Sequence, residues 1–385
     1  MPASNFYCSQ KFWWLSIDIE KFQTLSCCAA APQKIKFDWL KHNPGDIFNT
    51  PELQQERKMM LDNQPVDSCK ATCWSAEERG ESSRRLIMHS DKQTHSSLCA
   101  DPETLNIIVG SHCNLTCVYC CKQYSSAWAT DIFNNGTYDV ATTDDRFVIN
   151  TTDRLIRKLS QREIGLSESS QLLLQQIQAI SVGKNPPKTI VVTGGEPFLY
   201  NGLSDLISVL PDHVTIKIWS GLGVDETRFS RELDKILSIK NIEKVISAEN
   251  INEQYEFSRY GNSWARFERN LQQLESQGVN YQFNATVSNL TVFGLNQFED
   301  YFAGKTINYQ LVTDPDFLSI AVLDNQSKDW LQKHSRHQFV TDTLHLVPTV
   351  QQRQNLKNYL LEFARRRAIN LDIFPRSFVK WIQNE

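Results

Sequence analysis

The sequence predicts an α/β protein, because short apolar runs alternate with helical patterns from residue 104 onward. The six predicted strands are Leu105–Val109, Thr189–Val192, Val214–Trp219, Lys244–Ser247, Tyr281–Val287 and Asn308–Val312. The helices predicted between them are Gln171–Ile180, Asp225–Leu237 and Ser263–Gln277. Strands separated by helices need crossover connections, so we expect a parallel sheet that forms an open or partial (β/α)6 barrel. Such sheets bind ligands at the carboxyl ends of their strands.

The length of the chain predicts more than one structural part. It has 385 residues, whereas single hydrophobic cores stop growing at roughly 250–300 residues. The predicted parts are residues 1–98, residues 99–325 with the α/β core, and residues 326–385. The first is irregular in pattern and contains a predicted helix, Pro51–Leu61, capped by Thr50. The last contains a predicted helix from Thr349 to Ala368, whose basic end, Arg365–Arg367, is expected to be solvated.

Composition and charge exclude several classes of protein. The formal net charge is −4 and the pI is about 6.1, which argues against an extended surface for nucleic acid or anionic lipid. The most apolar stretches, such as Ile190–Val192, are far shorter than the ~20 residues of a transmembrane helix. The N-terminus lacks the basic-then-apolar order of a signal peptide. We therefore expect a cytoplasmic protein without a nucleic-acid or membrane partner.

Ten cysteines are distributed unevenly along the chain. One group lies in the first fifth of the sequence, a second lies between residues 113 and 121, and none follows. In a reducing compartment, metal binding or catalysis explains such cysteines better than disulfides do, so two groups suggest two metal sites. Three cysteines have no assigned role and are expected to be buried thiols: Cys28, Cys99 and Cys121.

The second group forms a CxxxCxxC motif directly after the first predicted core strand. Cys113, Cys117 and Cys120 lie on one short loop and could bind three irons of a cubane, leaving the fourth iron without a protein ligand. Structural zinc usually has four ligands in two separated pairs, which fits this loop less well. A zinc knuckle or a set of buried thiols is the alternative interpretation.

A second motif, Thr193–Pro197, reads Thr-Gly-Gly-Glu-Pro and directly follows another predicted strand. Its two glycines allow the backbone to approach a ligand closely. Glu196 supplies a carboxylate that could complement a cation. A plain strand-to-helix turn is the alternative interpretation.

Together the two motifs resemble the signature of the radical SAM superfamily. In that family the open iron of a [4Fe-4S] cluster binds S-adenosylmethionine (SAM), and an electron from the cluster cleaves SAM to a 5′-deoxyadenosyl radical. The resemblance implies that Cys113, Cys117 and Cys120 hold the cluster and that the backbone of Tyr119 lies near the adenine. It also implies that the SAM amino group is bound by Gly194, Gly195, Glu196 and Pro197.

Further SAM contacts are implied at the ends of later strands. Ser220 and Glu249 occupy positions where the family often places a ribose contact, and Ser288, followed by Asn289, could contact the adenosine. A segment around Arg259 resembles one branch of the family, which implies that its guanidinium pairs with the SAM carboxylate. A surface salt bridge is the alternative for Arg259, and ordinary structural roles are the alternative for Ser288 and Asn289.

The N-terminal cysteines resemble a twitch domain, the half-sized form of the SPASM auxiliary-cluster domain. The resemblance implies that a second [4Fe-4S] cluster is bound by Cys8, Cys27, Cys69 and Cys73. The glycine expected five residues before the second ligand is absent, since Phe22 stands there, so Cys28 is a possible substitute for Cys27. A zinc site of four thiolates is the alternative.

These resemblances imply a radical SAM enzyme that abstracts hydrogen from a peptide, a protein or a sugar-like substrate, with a net oxidation if the auxiliary cluster accepts an electron. A low-potential flavodoxin or ferredoxin would be the electron donor. The catalytic residues beyond the cluster are not predicted. The alternative is a non-catalytic iron–sulfur or zinc protein that serves as a scaffold or sensor, although such a protein would not need the Gly-Gly-Glu-Pro motif.

Overall fold

The computed structural model describes residues 6–81, 83–89, 97–141, 146–148 and 168–383. The chain divides into two compact units that are discontinuous in sequence. The first unit consists of Met1–Gly110, Ile164–Trp219 and Arg231–Glu243, and the second of Ser111–Glu163, Ser220–Ser230 and Lys244–Glu385.

The strands of the first unit follow the order β3-β2-β1-β4-β5-β6. Their bounds are Trp14–Asp18 (β1), Gln23–Leu25 (β2), Gln33–Lys34 (β3), Thr104–Ile108 (β4), Thr189–Thr193 (β5) and Thr215–Ser220 (β6). The pairs β1–β4, β4–β5 and β5–β6 are parallel, whereas β1–β2 and β2–β3 are antiparallel. The side chains of Leu105, Ile107, Ile190 and Val192 are completely buried, so β4 and β5 lie at the centre of this unit.

Among its described residues, the second unit has three strands, Glu243–Ser247 (β7), Tyr281–Val287 (β8) and Ile307–Leu311 (β9). Strand β8 pairs in parallel with both β7 and β9. A large apolar core, rich in aromatic side chains, surrounds Trp128, Tyr359 and Phe363 in this unit. It extends to the C-terminal helices, which are therefore part of the folded unit.

The α-helices of the described residues separate these strands and extend past the last of them. Their bounds are Phe37–His42 (α1), Pro51–Leu61 (α2), Ser75–Glu78 (α3), Arg84–His89 (α4), Ser126–Asn135 (α5), Glu168–Ser181 (α6), Leu203–Ser208 (α7), Glu226–Leu237 (α8), Asn252–Ser258 (α9), Trp264–Ser276 (α10), Leu295–Tyr301 (α11), Asn325–His334 (α12), Gln338–Leu344 (α13), Val350–Arg367 (α14) and Arg376–Gln383 (α15). Within the described ranges, no helix is both long and apolar enough to cross a bilayer.

The predicted α/β fold class is confirmed. Each of the six predicted core strands is present, with ends that differ from the prediction by at most one residue. Helix α2 has the predicted bounds, and the Thr50 side chain caps it by accepting a hydrogen bond from the Leu53 amide. Helix α14 lies within the predicted range Thr349–Ala368 and begins with a capping box formed by Thr349 and Gln352.

The N-terminal region is more regular than the sequence pattern indicated. Strand β1 pairs in parallel with β4, in a register that places Trp14 opposite Thr104 and Asp18 opposite Ile108. Ser16 is buried in β1, where its hydroxyl accepts a hydrogen bond of 3.1 Å from the Asn106 side chain. Because this strand is short and contains buried polar residues, it gives no continuous apolar run in the sequence.

The prediction of a solvated basic end for α14 is wrong for two of its three arginines. The Arg365 side chain is 69% exposed, but those of Arg366 and Arg367 are only 1% and 3% exposed. Glu362 lies 2.7 Å from Arg366, and Asp131 lies 3.1 Å from Arg366 and 3.6 Å from Arg367, so two carboxylates compensate the two buried charges.

Candidate functional site

The cysteine loop, Cys113–Cys120, lies in the second unit and is fixed through its backbone. The Thr116 amide donates a 2.8 Å hydrogen bond to the Tyr260 carbonyl oxygen, and the Val118 amide donates one of 2.9 Å to Ser258. The loop therefore runs along the end of α9 and the residues just after it, and the backbone on both sides of Cys117 is anchored there.

Two glycines allow other segments to approach the cysteine loop closely. Gly261 has a φ of +105°, and a Cβ atom on it would lie 2.8 Å from the Asn114 carbonyl oxygen. A Cβ atom on Gly223 would lie 3.0 Å from a methyl group of Leu115. The Asn114 side chain in turn donates a 2.8 Å hydrogen bond to the Gly223 carbonyl oxygen. Asn114 and Leu115, which lie between the first two cysteines, thus fix the loop to residues 221–224.

The 221–224 segment is itself held rigidly by buried side chains. The Asn270 side chain donates hydrogen bonds of 3.0 Å and 2.8 Å to the carbonyl oxygens of Leu222 and Val224. The Tyr255 hydroxyl donates one of 3.1 Å to Gly221. A segment whose carbonyl oxygens are satisfied in this way provides a fixed surface for the cysteine loop.

The three thiols of the loop differ in exposure but influence each other. Cys117 is buried, and Cys113 and Cys120 are half-buried. Burial raises the pKa of Cys120 well above its ordinary value, and the neighbouring Cys121, Cys117 and Cys113 raise it further. Burial also raises the pKa of Cys117, although the charge of Arg259 opposes this shift. The motif sulfurs therefore lie close enough to interact electrostatically.

A buried set of polar side chains lies beside Cys117. Arg259 forms an ion pair of 2.8 Å with Glu249, and its Nη1 donates to the Cys117 sulfur at 3.9 Å. The Tyr119 hydroxyl donates one bifurcated hydrogen bond to Glu249, with both carboxylate oxygens at 3.1 Å, and the Arg259 guanidinium lies 5.3 Å from the centre of the Tyr119 ring. Three predicted SAM-binding residues are thus brought together with one predicted cluster ligand.

Arg259 is buried and does not lie on the protein surface, and its guanidinium is positively charged. Burial alone would lower its pKa, but Glu249 raises the pKa well above the ordinary value for arginine. Within the described part of the chain, Nε of Arg259 has no hydrogen-bond partner although it is buried. A ligand acceptor placed beside this nitrogen would satisfy it.

Ser220 and Ser288 lie at the ends of β6 and β8 and shape the turns that follow. The Ser220 hydroxyl accepts a 3.0 Å hydrogen bond from the Leu222 amide, and the Ser288 hydroxyl accepts one of 3.2 Å from Leu290. Asn289 is fixed by its side-chain hydrogen bond of 2.8 Å to the Phe317 carbonyl oxygen. These contacts are the structural roles that the sequence left open as alternatives for Ser288 and Asn289.

The Gly-Gly-Glu-Pro motif follows β5 in the first unit and packs against the end of β4. The Gly195 amide donates a 2.7 Å hydrogen bond to the Gly110 carbonyl oxygen. Gly194 has a φ of +148°, and a Cβ atom on it would lie only 2.7 Å from the same oxygen. Strands β4 and β5 can therefore end side by side only if position 194 is a glycine.

Glu196 is buried at the carboxyl end of β5 and begins a single 3-10 turn, Pro197–Leu199. Its carboxylate accepts a 3.3 Å hydrogen bond from the Phe198 amide, and Pro197 occupies the first position of the turn. The capping role expected of a plain strand-to-helix turn is therefore present in this motif.

The four N-terminal cysteines assigned to a second cluster are all buried in the first unit: Cys8, Cys27, Cys69 and Cys73. Burial raises the pKa of Cys8 to about 11, and the nearby Cys69 and Cys73 contribute to the same shift. Burial likewise raises the pKa of Cys69, and Cys73 is again among the causes. These three thiols therefore lie near each other in a small apolar cluster that also contains Trp74.

Cys27 and Cys28 are in different environments although they are adjacent. Cys27 is buried, whereas Cys28 is exposed. A hydrogen bond between the two thiols raises the pKa of Cys27 and lowers that of Cys28 to about 6. Of the three cysteines without an assigned role, Cys121 is buried as expected, but that expectation is wrong for Cys28 and Cys99, which are exposed.

A buried lysine that the sequence pattern did not single out lies beside the N-terminal cysteines. The Lys11 side chain is 1% exposed, and its Nζ lies 2.5 Å from Glu56, 2.6 Å from Ser26 and 2.8 Å from Ser68. Its positive charge lowers the pKa of Cys27, against the larger opposing effects of the Cys28 hydrogen bond and burial. The only sequence signal for Lys11 is a charged residue three positions after Cys8 and next to the apolar pair Phe12-Trp13.

The two groups of cysteines contain the type of side chain that binds iron–sulfur clusters. All ten cysteines lie in the described part of the chain, and none of them forms a disulfide. Among the described residues, no three His, Cys, Asp or Glu side chains converge as for a single metal ion. Thiolates are the ligands of iron–sulfur clusters, and the buried Arg259 and Lys11 place a positive charge beside each group of cysteines.

Comparisons with known proteins give limited similarity. No family model matches the chain, and no curated protein matches it. Native anSMEcpe with bound AdoMet matches with a TM-score of 0.37 and 16% identity, over 54% of this chain and 52% of that chain. This chain thus spans about half the length of that protein.

SuiB from Streptococcus suis also matches. With the precursor peptide SuiA bound, its structure gives a TM-score of 0.34 and 13% identity, over 95% of this chain and 71% of that chain. With S-adenosylmethionine bound, the values are 0.32 and 11%, over 83% and 76%. TM-scores below 0.5 do not establish a family, so the function has to be inferred from the residues of this chain.

Proposed function

We propose that this chain is a radical SAM enzyme whose [4Fe-4S] cluster is held by Cys113, Cys117 and Cys120. The observation that carries the proposal is the unpartnered Nε of Arg259, on a buried guanidinium whose Nη1 donates to Cys117. A carboxylate ligand next to the cysteine loop would satisfy this donor. SAM has a carboxylate, and in the family that this motif resembles it binds at the open iron.

When bound together, such a cluster and SAM supply a 5′-deoxyadenosyl radical that abstracts hydrogen from a substrate. Arg259 would hold the SAM carboxylate through Nε while Glu249 retains its place on Nη2. Glu196, with Gly194, Gly195 and Pro197, would bind the SAM amino group. Ser220, Glu249 and Ser288 would contact the nucleoside, and the backbone of Tyr119 would lie near the adenine.

The second part of the proposal is an auxiliary [4Fe-4S] cluster on Cys8, Cys27, Cys69 and Cys73. Burial of all four thiols and the cation of Lys11 nearby support it, because a cluster bound by four thiolates is anionic. This cluster would accept an electron from the substrate radical, bind the substrate or stabilise the fold. The substrate would be a peptide, a protein or a sugar-like molecule, and a flavodoxin or ferredoxin would reduce the enzyme in a cytoplasmic compartment.

A non-catalytic iron–sulfur or zinc protein remains the second candidate. The capping contact of Glu196 favours it in one respect, since that contact gives the motif a structural role. The buried donor of Arg259 counts against it, because a scaffold has no need of an unpartnered guanidinium N–H next to its cysteines.

Anaerobic reconstitution tests the proposal. About eight irons per chain are expected for two cubanes, with the electron paramagnetic resonance spectrum of the dithionite-reduced protein changing when SAM is added. The Arg259→Lys variant should keep its iron but respond to SAM only at a higher concentration, since lysine has no fork of donors. A spectrum that SAM leaves unchanged at any concentration would favour the scaffold.

A further inference from the structure

Helix α14 contacts the cysteine loop at both residues that flank Cys117. The Tyr359 hydroxyl donates a 2.5 Å hydrogen bond to the Val118 carbonyl oxygen. Nε of Arg367, two helical turns further on, donates one of 3.2 Å to the Thr116 hydroxyl. Helix α14 therefore contacts the residues immediately before and after Cys117.

The carbonyl oxygen of Cys117 is held by a residue that packs on the same helix. Trp128 Nε1 donates a 2.9 Å hydrogen bond to this oxygen. The Trp128 ring is completely buried, stacks on Tyr359 at a centroid distance of 6.4 Å, and lies 5.0 Å from the Arg367 guanidinium. The position of Trp128 thus also depends on α14.

The side chains around Arg367 satisfy its donors and compensate its buried charge. Its Nη1 donates a 3.0 Å hydrogen bond to the Tyr138 hydroxyl, and the guanidinium lies 3.8 Å from the centre of the Phe363 ring. Asp131 lies 3.6 Å away and compensates the charge. Burying an arginine is costly unless its charge is paired and its donors are used, so this arrangement holds Arg367 in one orientation.

The two sides of the loop are therefore fixed by different elements. The amides of Thr116 and Val118 donate to carbonyl oxygens at the end of α9 and just after it, whereas the carbonyl oxygens of Cys117 and Val118 accept from Trp128 and Tyr359. Because both the amides and the carbonyl oxygens around Cys117 are hydrogen-bonded, the backbone there has little freedom to turn the Cys117 side chain away from the other thiols.

We infer that Tyr359 and Arg367 are positioning residues for Cys117, and that α14 is needed to shape the cysteine loop. The assignment of a cluster to this loop rests on the proposed function. The placement of the Cys117 thiol does not, because it can be measured in the metal-free protein.

Alkylation of the metal-free protein, followed by peptide mass spectrometry, tests the inference. The variants are Tyr359→Phe and Arg367→Lys, with Arg365→Ala as the matched control on the exposed side of the same helix. Loss of the Tyr359 hydroxyl should raise the alkylation rate of Cys117 by about five- to tenfold, the equivalent of one net hydrogen bond of roughly 1 kcal/mol. Cys69, which is buried in the other unit, is the internal reference.

Three results would overturn the inference. They are an unchanged alkylation rate of Cys117 in both test variants, an equal rise in the alkylation rate of Cys69, and an equal rise in the alkylation rate of Cys117 in Arg365→Ala. In the reconstituted protein, Tyr359→Phe should also alter the electron paramagnetic resonance spectrum and speed the loss of iron to a chelator severalfold. If wild-type protein binds no iron but Cys117 responds as expected, the proposed function fails while the positioning role stands.

Discussion

The carbonyl oxygen of Gly110 lies 2.7 Å from the position that a Cβ atom would occupy on Gly194. The same oxygen accepts the hydrogen bond from the Gly195 amide, so it cannot move away without losing that bond. The end of β4 and the start of the Gly-Gly-Glu-Pro motif therefore depend on a glycine at position 194. The cysteine loop begins three residues after Gly110 in the chain.

We first predict that Gly194→Ala disrupts the motif. The added methyl group would contact backbone, which cannot yield as a flexible side chain can, and a φ of +148° is strained for alanine. The variant should lose about 1–3 kcal/mol of unfolding free energy and bind SAM at least tenfold more weakly. Denaturant unfolding and calorimetric SAM titration measure the two effects.

Gly304→Ala separates the two causes. Gly304 also has a positive φ, +84°, but no atom lies within 4 Å of its Cβ position. It should therefore lose stability through backbone strain alone and bind SAM normally. Equal SAM affinities for the two variants would refute a specific role for Gly194.

The second prediction concerns the buried pair of Arg259 and Glu249. Glu249→Gln should destabilise the protein by about 3–5 kcal/mol, because it leaves the Arg259 charge buried without its counter-ion. The double variant Glu249→Gln/Arg259→Met should recover part of this loss, since no unpaired charge then remains. A double-mutant cycle in urea gives the coupling between the residues, and additive losses would contradict their pairing.

The third prediction is a pH dependence caused by Lys11 and Glu56. Burial alone would raise the pKa of Glu56, but Lys11 lowers it below its ordinary value of 4.5. The pair therefore contributes stability that is present above about pH 4.5 and lost as the pH falls. Burial alone would lower the pKa of Lys11, yet Glu56 raises it above 10.5, so the same contribution is lost only at strongly alkaline pH.

Urea unfolding of the metal-free protein at about pH 5.5 and about pH 3.5 measures this effect. Lys11→Met/Glu56→Gln should lose less stability than wild type across this interval. Lys58→Met/Asp62→Asn, which removes an exposed ion pair of 2.6 Å within and at the end of α2, is the matched control and should behave as wild type. If Lys11→Met/Glu56→Gln lost as much stability as wild type between the two pH values, the prediction would be contradicted.

The fourth prediction decides between adjacent candidate ligands. Cys27 is buried beside Lys11, while Cys28 is exposed, so Cys27 should be the ligand of the auxiliary cluster. Cys27→Ser should lower the iron content by about four per chain, and Cys28→Ser should leave it unchanged. The reverse pattern would assign Cys28 as the ligand.

The sequence predicted the core strands because each holds a short apolar run or an alternation of apolar and polar residues between helical patterns. It did not predict β1, in which Ser16 and Asp18 are buried as polar residues. Their partners, such as Asn106, are distant in the chain, and no local pattern indicates them.

The residues that surround the cysteine loop were predicted unevenly. Arg259 and Glu249 were selected by their motif and by their place at a strand end, but their pairing with each other depends on tertiary structure. Arg366 and Arg367 were expected to be solvated because a basic run at a helix end usually is. Asp131, more than 200 residues away, and Glu362 on the same helix change that outcome by compensating the two charges.

Formation of 5′-deoxyadenosine tests the central claim most directly. Reconstituted wild-type protein, Cys117→Ala and Cys99→Ala are incubated anaerobically with dithionite and SAM, and the nucleoside is quantified by mass spectrometry. The account predicts nucleoside from wild type and from Cys99→Ala, whose thiol lies outside both cysteine groups. It predicts none from Cys117→Ala. Nucleoside formation that persists in Cys117→Ala, or that is absent from iron-loaded wild type, would contradict the account.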